Sequence, residues 1–290
     1  MNKVFQFFNR SKKIPKNPEL FTLAHIVEPV IVDSTSDLVV AQPITFETMH
    51  KAKEFANGKV NVELLAIQFH DEVQIPLPAS FIRTRNLTRS IIDIHTFRKL
   101  KKLALIKDIL DALYETTSAD YMIYTNVDIA LMPSFYSALD RIIRMGYDAF
   151  VINRRTISDS FSSIEQIPQM YAEIGQSHKG YDCFVFKREL YPKFKLGDIC
   201  IGTAWIGRAL LANMVAYSER FKEFRDLHLT FHIGDPCTWR NEEFSDYFQA
   251  NLDEFQRLFQ LIESEHGKFK PKLRSYLLDT GEKRIIPKFK

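Results

Sequence analysis

This sequence of 290 residues is short of cysteine, of glycine and of long apolar runs. Its three cysteines are Cys183, Cys200 and Cys237. Their odd number and wide spacing, with no Cys-x-x-Cys pair, argue against a disulfide framework or a cysteine-ligated zinc site. They favour a reducing compartment, so a cytoplasmic location is expected. No stretch reaches the roughly 18 apolar residues of a membrane span. Met1–Lys13 lacks the long apolar core of a signal peptide. With ten glycines in all, the chain has neither GxxxxGK[ST] nor GxGxxG. GxSxG and HExxH are missing too. These absences disfavour P-loop ATPases, Rossmann oxidoreductases, α/β-hydrolases and zincin proteases. An excess of one charge is also lacking: 39 basic against 36 acidic side chains give +3. That is not the balance of a nucleic-acid binder.

What is present is an ordinary globular mixture, 46% apolar and 26% charged, with 24 phenylalanines. Such a chain buries enough surface to fold without staples. Residues 1–20 read as an extended leader. Phe21–Val32 reads as one or two short strands, and Leu38-Val39-Val40-Ala41 as another, ended by Pro43. Thr45 would cap a helix carrying Phe46, Met49, Ala52 and Phe55, closed by Asn57-Gly58. Val60–Phe69 reads as a buried strand and 73–96 as loop. Phe97–Thr116 is helical by period, Tyr121–Tyr124 a strand, and Pro133 opens a helix running to Gly146. Asp148–Ile152 is a strand. Alternating strands and helices predict an α/β fold with a mainly parallel sheet flanked by helices. Beyond it come a helix near 163–175, a strand in Gly180–Phe186, a helix from Gly202 to Met214, a strand from Leu227 to Ile233 and a long helix, Asn241–Glu265. No linker marks a second domain. One domain is expected over 21–265, then a basic tail, 266–290. That tail gathers Lys268, Lys270, Lys272, Arg274, Lys283, Arg284, Lys288 and Lys290. It is either a solvated end or a weak contact for an anionic membrane or an acceptor.

The segment with the strongest chemical signal is Tyr121-Met122-Ile123-Tyr124-Thr125-Asn126-Val127-Asp128. An apolar strand ends there in two oxygen-bearing side chains one residue apart. On extended backbone positions i and i+2 share a face, so Asn126 and Asp128 can face one ligand. Ligands of open parallel sheets bind at the carboxyl ends of strands. Mg²⁺ or Mn²⁺ needs one or two carboxylates and takes further oxygens from phosphate and water. The plain alternative has Asp128 capping a turn.

That segment resembles the DxD motif of GT-A glycosyltransferases, with Asn126 in the first acidic position and Asp128 in the last. Leu38–Thr45, including Pro43 and Thr45, looks like the family's first strand and nucleotide-contacting turn. Val62–Asp71 looks like its second strand, whose terminal acid, Asp71 here, often contacts the base. The resemblance spans about residues 36–155, the nucleotide-binding half, and leaves 156–265 as the acceptor half. It implies a nucleotide-diphosphate-sugar donor, an acceptor hydroxyl of unknown identity (on a glycan, a lipid-linked or a small molecule), and a divalent cation. Asn126, standing where the family has an acid, weakens the case for metal.

The family's C-terminal half supplies acceptor contacts, a catalytic acid in inverting members and often a metal-completing histidine. Asp198, in Gly197-Asp198-Ile199-Cys200, is a candidate base for the acceptor hydroxyl, or caps a turn. Trp205 is a sugar-stacking or a core residue. Alternation puts His228, Thr230 and His232 on one strand face. Histidines four apart on a strand lie about 13 Å apart and cannot share one metal; His232, beside Gly234-Asp235, is the candidate ligand. Asp182 is a sugar contact or a turn residue. Arg83, Arg85, Arg89, Arg98 and Lys101 are candidate diphosphate partners. The reading is a metal-assisted glycosyltransferase. The alternatives are a nucleotidyltransferase, or a binding module that kept the fold and lost turnover.

Overall fold

A computed structural model describes residues 20–236 and 241–279. Most of the expected leader, residue Cys237 and the tail beyond 279 lie outside the described residues. Among these residues a seven-stranded sheet runs β10-β6-β9-β4-β1-β2-β3, and a four-stranded sheet runs β5-β11-β7-β8.

The large sheet begins with β1 (Thr22–Val27), α1 (Leu38–Ala56), β2 (Asn61–Ala66) and β3 (Phe81–Arg83), then α2 (Ile106–Thr116) and β4 (Tyr121–Thr125). The small sheet opens with β5 (Ala130–Leu131). It is followed by α3 (Phe135–Arg144), β6 (Ala149–Ile152), β7 (Arg155–Ile157), α4 (Ile167–Ala172), β8 (Gln176–Ser177) and β9 (Cys183–Lys187). α5 (Ile206–Tyr217), β10 (Phe221–Phe224), β11 (Thr230–Ile233), α6 (Ser245–His266) and α7 (Pro271–Leu278) complete the chain.

β1 pairs in parallel with β2 on one side and β4 on the other, and β6 in parallel with β10. Only β9 runs backwards, wedged antiparallel between β4 and β6. The strands are apolar on both faces because helices cover both. Ile26, Met122, Tyr124, Val151 and Phe184 face α2, α5, α6 and α7 in one core. Their neighbours in sequence, Val27, Ile123, Ile152, Cys183 and Val185, face α1 and α3 in another. This is the two-residue alternation of a pleated strand.

Three expectations fail here. Leu38–Ala41 is helical. Ala41, Ile44, Thr45, Thr48, Met49, Ala52 and Ala56 are all buried. That helical period outweighs the strand preference of Val39-Val40. Pro43 is exposed inside α1, not at a strand end, and Thr45 lies within the helix rather than capping it. The first strand is β1, which ends at Val27, just before Glu28-Pro29. Next, Phe97–Leu105 is not helical: Phe97 instead stacks on Tyr247, ring centroids 3.9 Å apart. Finally, the fold does not stop at 265. Phe269, Leu273 and Leu277 belong to the main core, while Lys268, Lys270, Lys272 and Arg274 face solvent. No helix among the described residues is long and apolar enough to cross a membrane.

Candidate active site at the carboxyl edge of the sheet

Chain order reverses at β1, since β2 lies on one side of it and β4 on the other. Such switch points open a crevice at the carboxyl ends of the strands. β4 delivers Asn126 and Asp128 to that edge and β6 delivers Asn153 and Arg154. β9 runs the other way, so its first residues arrive there too. Cys183 is level with both Thr125 and Ile152, which places Asp182 beside the ends of β4 and β6. The small sheet closes the edge. β5 pairs antiparallel with β11, Phe231 opposite Ala130, so His232 comes alongside the residues preceding β5.

His232 Nε2 lies 3.1 Å from Asp128 Oδ2, and its Nδ1 lies 2.8 Å from the Gly234 carbonyl oxygen. Both ring nitrogens therefore face acceptors, the arrangement of an imidazolium. Burial opposes charge on His232, but the hydrogen bond to Asp128 and its charge prevail, and the imidazole pKa is raised. Burial likewise opposes the Asp128 carboxylate, yet His232 and Arg154 hold its pKa below the usual value.

Arg154 is the hub of a second group. Its Nη1 lies 3.1 Å from Asp182 Oδ2 and its Nη2 donates to Asp235 Oδ1 at 3.0 Å. His178 sits between the same two carboxylates, 3.8 Å from Asp182 and 3.9 Å from Asp235. Its pKa is lowered by burial and by the Arg154 charge. Asn153 Nδ2 donates to the Gly180 carbonyl at 2.9 Å, and Tyr124 Oη donates to Asn126 Oδ1 at 3.1 Å.

Four atoms of this cluster are buried without a hydrogen-bond partner among the described residues: Asp182 Oδ2, which has only the Arg154 ion pair, and Asp128 Oδ1, Asn153 Oδ1 and Arg154 Nε, which face no partner at all. Each such group costs about 1–3 kcal/mol when left unmet. Two acceptors and a donor on adjacent strand ends form the pattern that a ligand rich in hydroxyls, or a cation with its phosphate, would satisfy.

The sequence candidates divide. Asn126, Asp128, Asp182 and His232 come together. Asp198 does not join them: its backbone N–H bonds Glu254, and its charge acts on Arg89 and Arg257. Trp205 is a core residue, 6% exposed, stacked on Phe255 and edge-on to Phe248, so it offers no ring face to a sugar. Asp71 is exposed and held by Lys102. His228 adopts a left-handed backbone (φ 46°) before β11 begins, so it shares no strand face with His232. Arg83, Arg85, Arg89, Arg98 and Lys101 have partners elsewhere, in Gln68, Glu115, Asp108, Asp246 and Glu243. Sequence reasoning missed Asn153, Arg154, His178 and Asp235. The polar pair following the apolar strand Asp148–Ile152 was the available signal.

A mainly parallel sheet with one reversed strand and a small second sheet closing its carboxyl edge define the class of α/β fold. The chain has the GT-A fold. No family model matches the sequence, and no curated protein matches it. Solved structures of S. aureus TarS, a GT-A-type glycosyltransferase, are similar to it. The 1–349 fragment in complex with UDP-GlcNAc superposes with a TM-score of 0.52 at 8% identity, covering 89% of this chain and 70% of that one. The same fragment with UDP gives 0.46 at 10% identity over 89% and 70% of the two chains. A longer TarS structure gives 0.44 at 9% identity over 89% and 42%.

Proposed function

We propose that the protein transfers a sugar from a nucleotide-diphosphate sugar to an acceptor hydroxyl, at the edge formed by β4, β6, β9 and β11. The observation that carries this reading is the convergence of the unmet Asp128 Oδ1, Asn153 Oδ1 and Arg154 Nε at the switch point of a GT-A fold. The sugar-nucleotide complex of TarS, a protein of the same fold, supports it.

A divalent cation fits the donor set. Asp128 offers a free, buried oxygen, and His232 offers Nε2 on a ring already oriented by Gly234. No group of three or more ligating side chains occurs among the described residues, so the donor's phosphate oxygens would complete the shell. Such a cation would stabilise charge on the leaving diphosphate. The chain's own residues do the rest. Arg154 adds positive charge beside Asp128 while holding Asp182 and Asp235 in place. Asn153 and Asp182 present acceptors to sugar hydroxyls. Asp235 has a side chain 41% exposed against 10% for Asp182, so it is the carboxylate of the pair that an acceptor hydroxyl can reach. Base catalysis is assigned to Asp235 in place of Asp198.

The deciding experiment is thermal unfolding with UDP, GDP, CDP, ADP or TDP, with and without Mn²⁺. Ligand at 100 times its Kd stabilises the fold by about 2.7 kcal/mol. One diphosphate should raise the midpoint, more so with Mn²⁺, and not in Asp128→Ala. If none does, the donor site is refuted.

A further inference from the structure

Charge is unevenly spread along this chain. Residues 266–290 carry eight basic and two acidic side chains, and residues 1–18 carry five basic and no acidic ones. The body between them has 26 basic and 34 acidic side chains, so it is eight charges negative while the two ends together are eleven positive. The near-neutrality of the whole is a cancellation between unlike parts. A basic end on an acidic body is suited to hold an anionic surface that the body itself would repel.

The C-terminal end is anchored to the fold and leads to the candidate site. α7 and the residue before its approach put Leu273, Leu277 and Phe269 into the main core. Lys268, Lys270 and Lys272 stay exposed, with no ion pair among the described residues. α5 starts at the carboxyl edge, because the strand it leads into, β10, runs parallel to β6. Arg208, in the first turn of α5, donates to the Leu277 and Asp279 carbonyls. The Tyr276 ring stands edge-on to Tyr181, centroids 6.0 Å apart, and Tyr181 precedes Asp182. The chain therefore passes Asp279 at the edge that holds Asp182, Arg154 and Asp128. Further along the sequence comes Lys283-Arg284-Ile285-Ile286-Pro287-Lys288-Phe289-Lys290, with four basic side chains, three large apolar ones and no acid.

Large apolar side chains among lysines and arginines suit a lipid surface, where the cations meet anionic headgroups and the apolar groups enter beneath them. A nucleic acid would instead call for a basic stripe or groove on the folded body, and the body is acidic. We propose that the segment from Lys268 onward is an attachment surface for an anionic lipid membrane, and that it turns the carboxyl edge of the sheet toward that membrane. Attachment stands apart from the nucleotide-sugar reading above. Where that reading holds, the acceptor hydroxyl is met at the lipid surface.

The test is flotation of the full chain with vesicles of phosphatidylcholine alone or mixed with phosphatidylglycerol, at low, physiological and high salt. The wild type should bind the anionic vesicles, less as salt screens the attraction, and leave the neutral ones unbound. One basic side chain at an anionic surface strengthens attachment about fivefold. Replacing Lys268, Lys270 and Lys272 together by Gln should therefore weaken binding at least about tenfold, and so should replacing Lys283, Arg284, Lys288 and Lys290. Ile285→Ser, Ile286→Ser and Phe289→Ser combined should weaken it with every charge in place. The three lysines are exposed, so their variant should unfold at the wild-type midpoint. No binding, equal binding to neutral vesicles, or tail variants that bind like the wild type overturn the proposal; the last would move the contact to residues 1–18. Polyuridylate bound as tightly as the anionic vesicles, and unaffected by the three serines, also overturns it in favour of a nucleic acid. Asp128→Ala should bind vesicles like the wild type, so a failed donor site and a failed attachment are read separately. For orientation, a fluorophore is placed at Ser160→Cys, next to Asp159 which packs on Gly234, or at Met145→Cys beyond α3 at the opposite edge, both exposed, in a Cys237→Ser background. A lipid-borne quencher should dim the first more than the second. Equal or reversed quenching overturns the orientation.

Discussion

His232 Nε2 and Asp128 Oδ2 meet at 3.1 Å across 104 residues of sequence, brought together by the antiparallel pairing of β11 with β5. Without metal the pair is an imidazolium against a carboxylate. A cation at Nε2 has to displace that proton, whereas the Nδ1–H stays on Gly234. Because Asp128 raises the His232 pKa above its usual 6.5, the competition extends above pH 6.5. Mn²⁺ affinity should therefore climb as pH rises through the neutral range, measured by electron paramagnetic resonance titration from pH 6 to 8.5. Asp128→Asn should reduce turnover on the order of 100-fold or more, the usual effect of removing a group that stabilises transition-state charge. A pH-independent Mn²⁺ affinity would place the cation elsewhere.

Arg154 separates two carboxylates that would otherwise repel each other, with its side chain only 10% exposed. Arg154→Met should leave Asp182 and Asp235 uncompensated beside Asp128. Removing one partner of a buried ion-pair group typically costs about 3–5 kcal/mol. The lower end applies here, because the Asp235 side chain is 41% exposed and water screens part of its charge. Urea denaturation at pH 7 reads the loss. Asp182→Asn made in the Arg154→Met background should recover part of it, since the Asp182–Asp235 repulsion is then gone.

Asp198 and Asp235 make opposite predictions about base catalysis. Asp235→Asn should lower kcat on the order of 100-fold, within the usual range for a general base. Asp198→Asn, among Glu254, Arg89 and Arg257, should leave kcat within about threefold. Steady-state rates on the donor identified by the unfolding screen decide between them. A reversal would return the role to Asp198.

The frame of the fold was legible where one element's pattern was unambiguous. Tyr121–Tyr124 and Val60–Phe69 are apolar runs of strand length; β2 lies within the second, and β4 follows the first and adds Thr125. Asp128 and His232 could be paired in advance because each follows or sits in such a run. Leu38-Val39-Val40 misled because three residues of strand preference precede a helical period that declares itself only from Ala41 onward. That error took Leu38–Thr45 for the first strand and turn of the sheet, whereas the first strand is Thr22–Val27 and Leu38–Thr45 is helix. Arg154, His178 and Asp235 were invisible for another reason: Arg154 lies 28 residues from Asp182 and 81 from Asp235, and His178 lies 57 from Asp235, so they are neighbours only in the folded chain, with β9 inserted backwards between β4 and β6. Phe269, Leu273 and Leu277 were masked by the lysines among them, although their spacing at four residues is that of one helix face.

Directly beneath this edge, His25 in β1 is completely buried, with Nδ1 2.9 Å from the Tyr136 hydroxyl and Nε2 2.9 Å from Thr125 Oγ1. Burial lowers its pKa from 6.5 to about 3. The folded state therefore holds a neutral imidazole where the unfolded chain would take up a proton below pH 6.5. The stability that this confers is complete above 6.5 and is lost as pH falls from there toward 3. The slope is about 1.4 kcal/mol per pH unit. Buried carboxyls with raised pKa values work in the opposite sense, so the wild-type curve alone does not isolate His25. The difference between wild type and His25→Gln does: Gln keeps a donor and an acceptor for Tyr136 and Thr125 but takes up no proton. Urea denaturation at half-unit steps from pH 7.5 to 4.5 should show the two curves parallel above pH 7. Below 6.5 the wild type should lose stability faster than the variant. Curves that stay parallel throughout would mean that His25 is protonated in the fold and that its hydroxyl partners accept rather than donate.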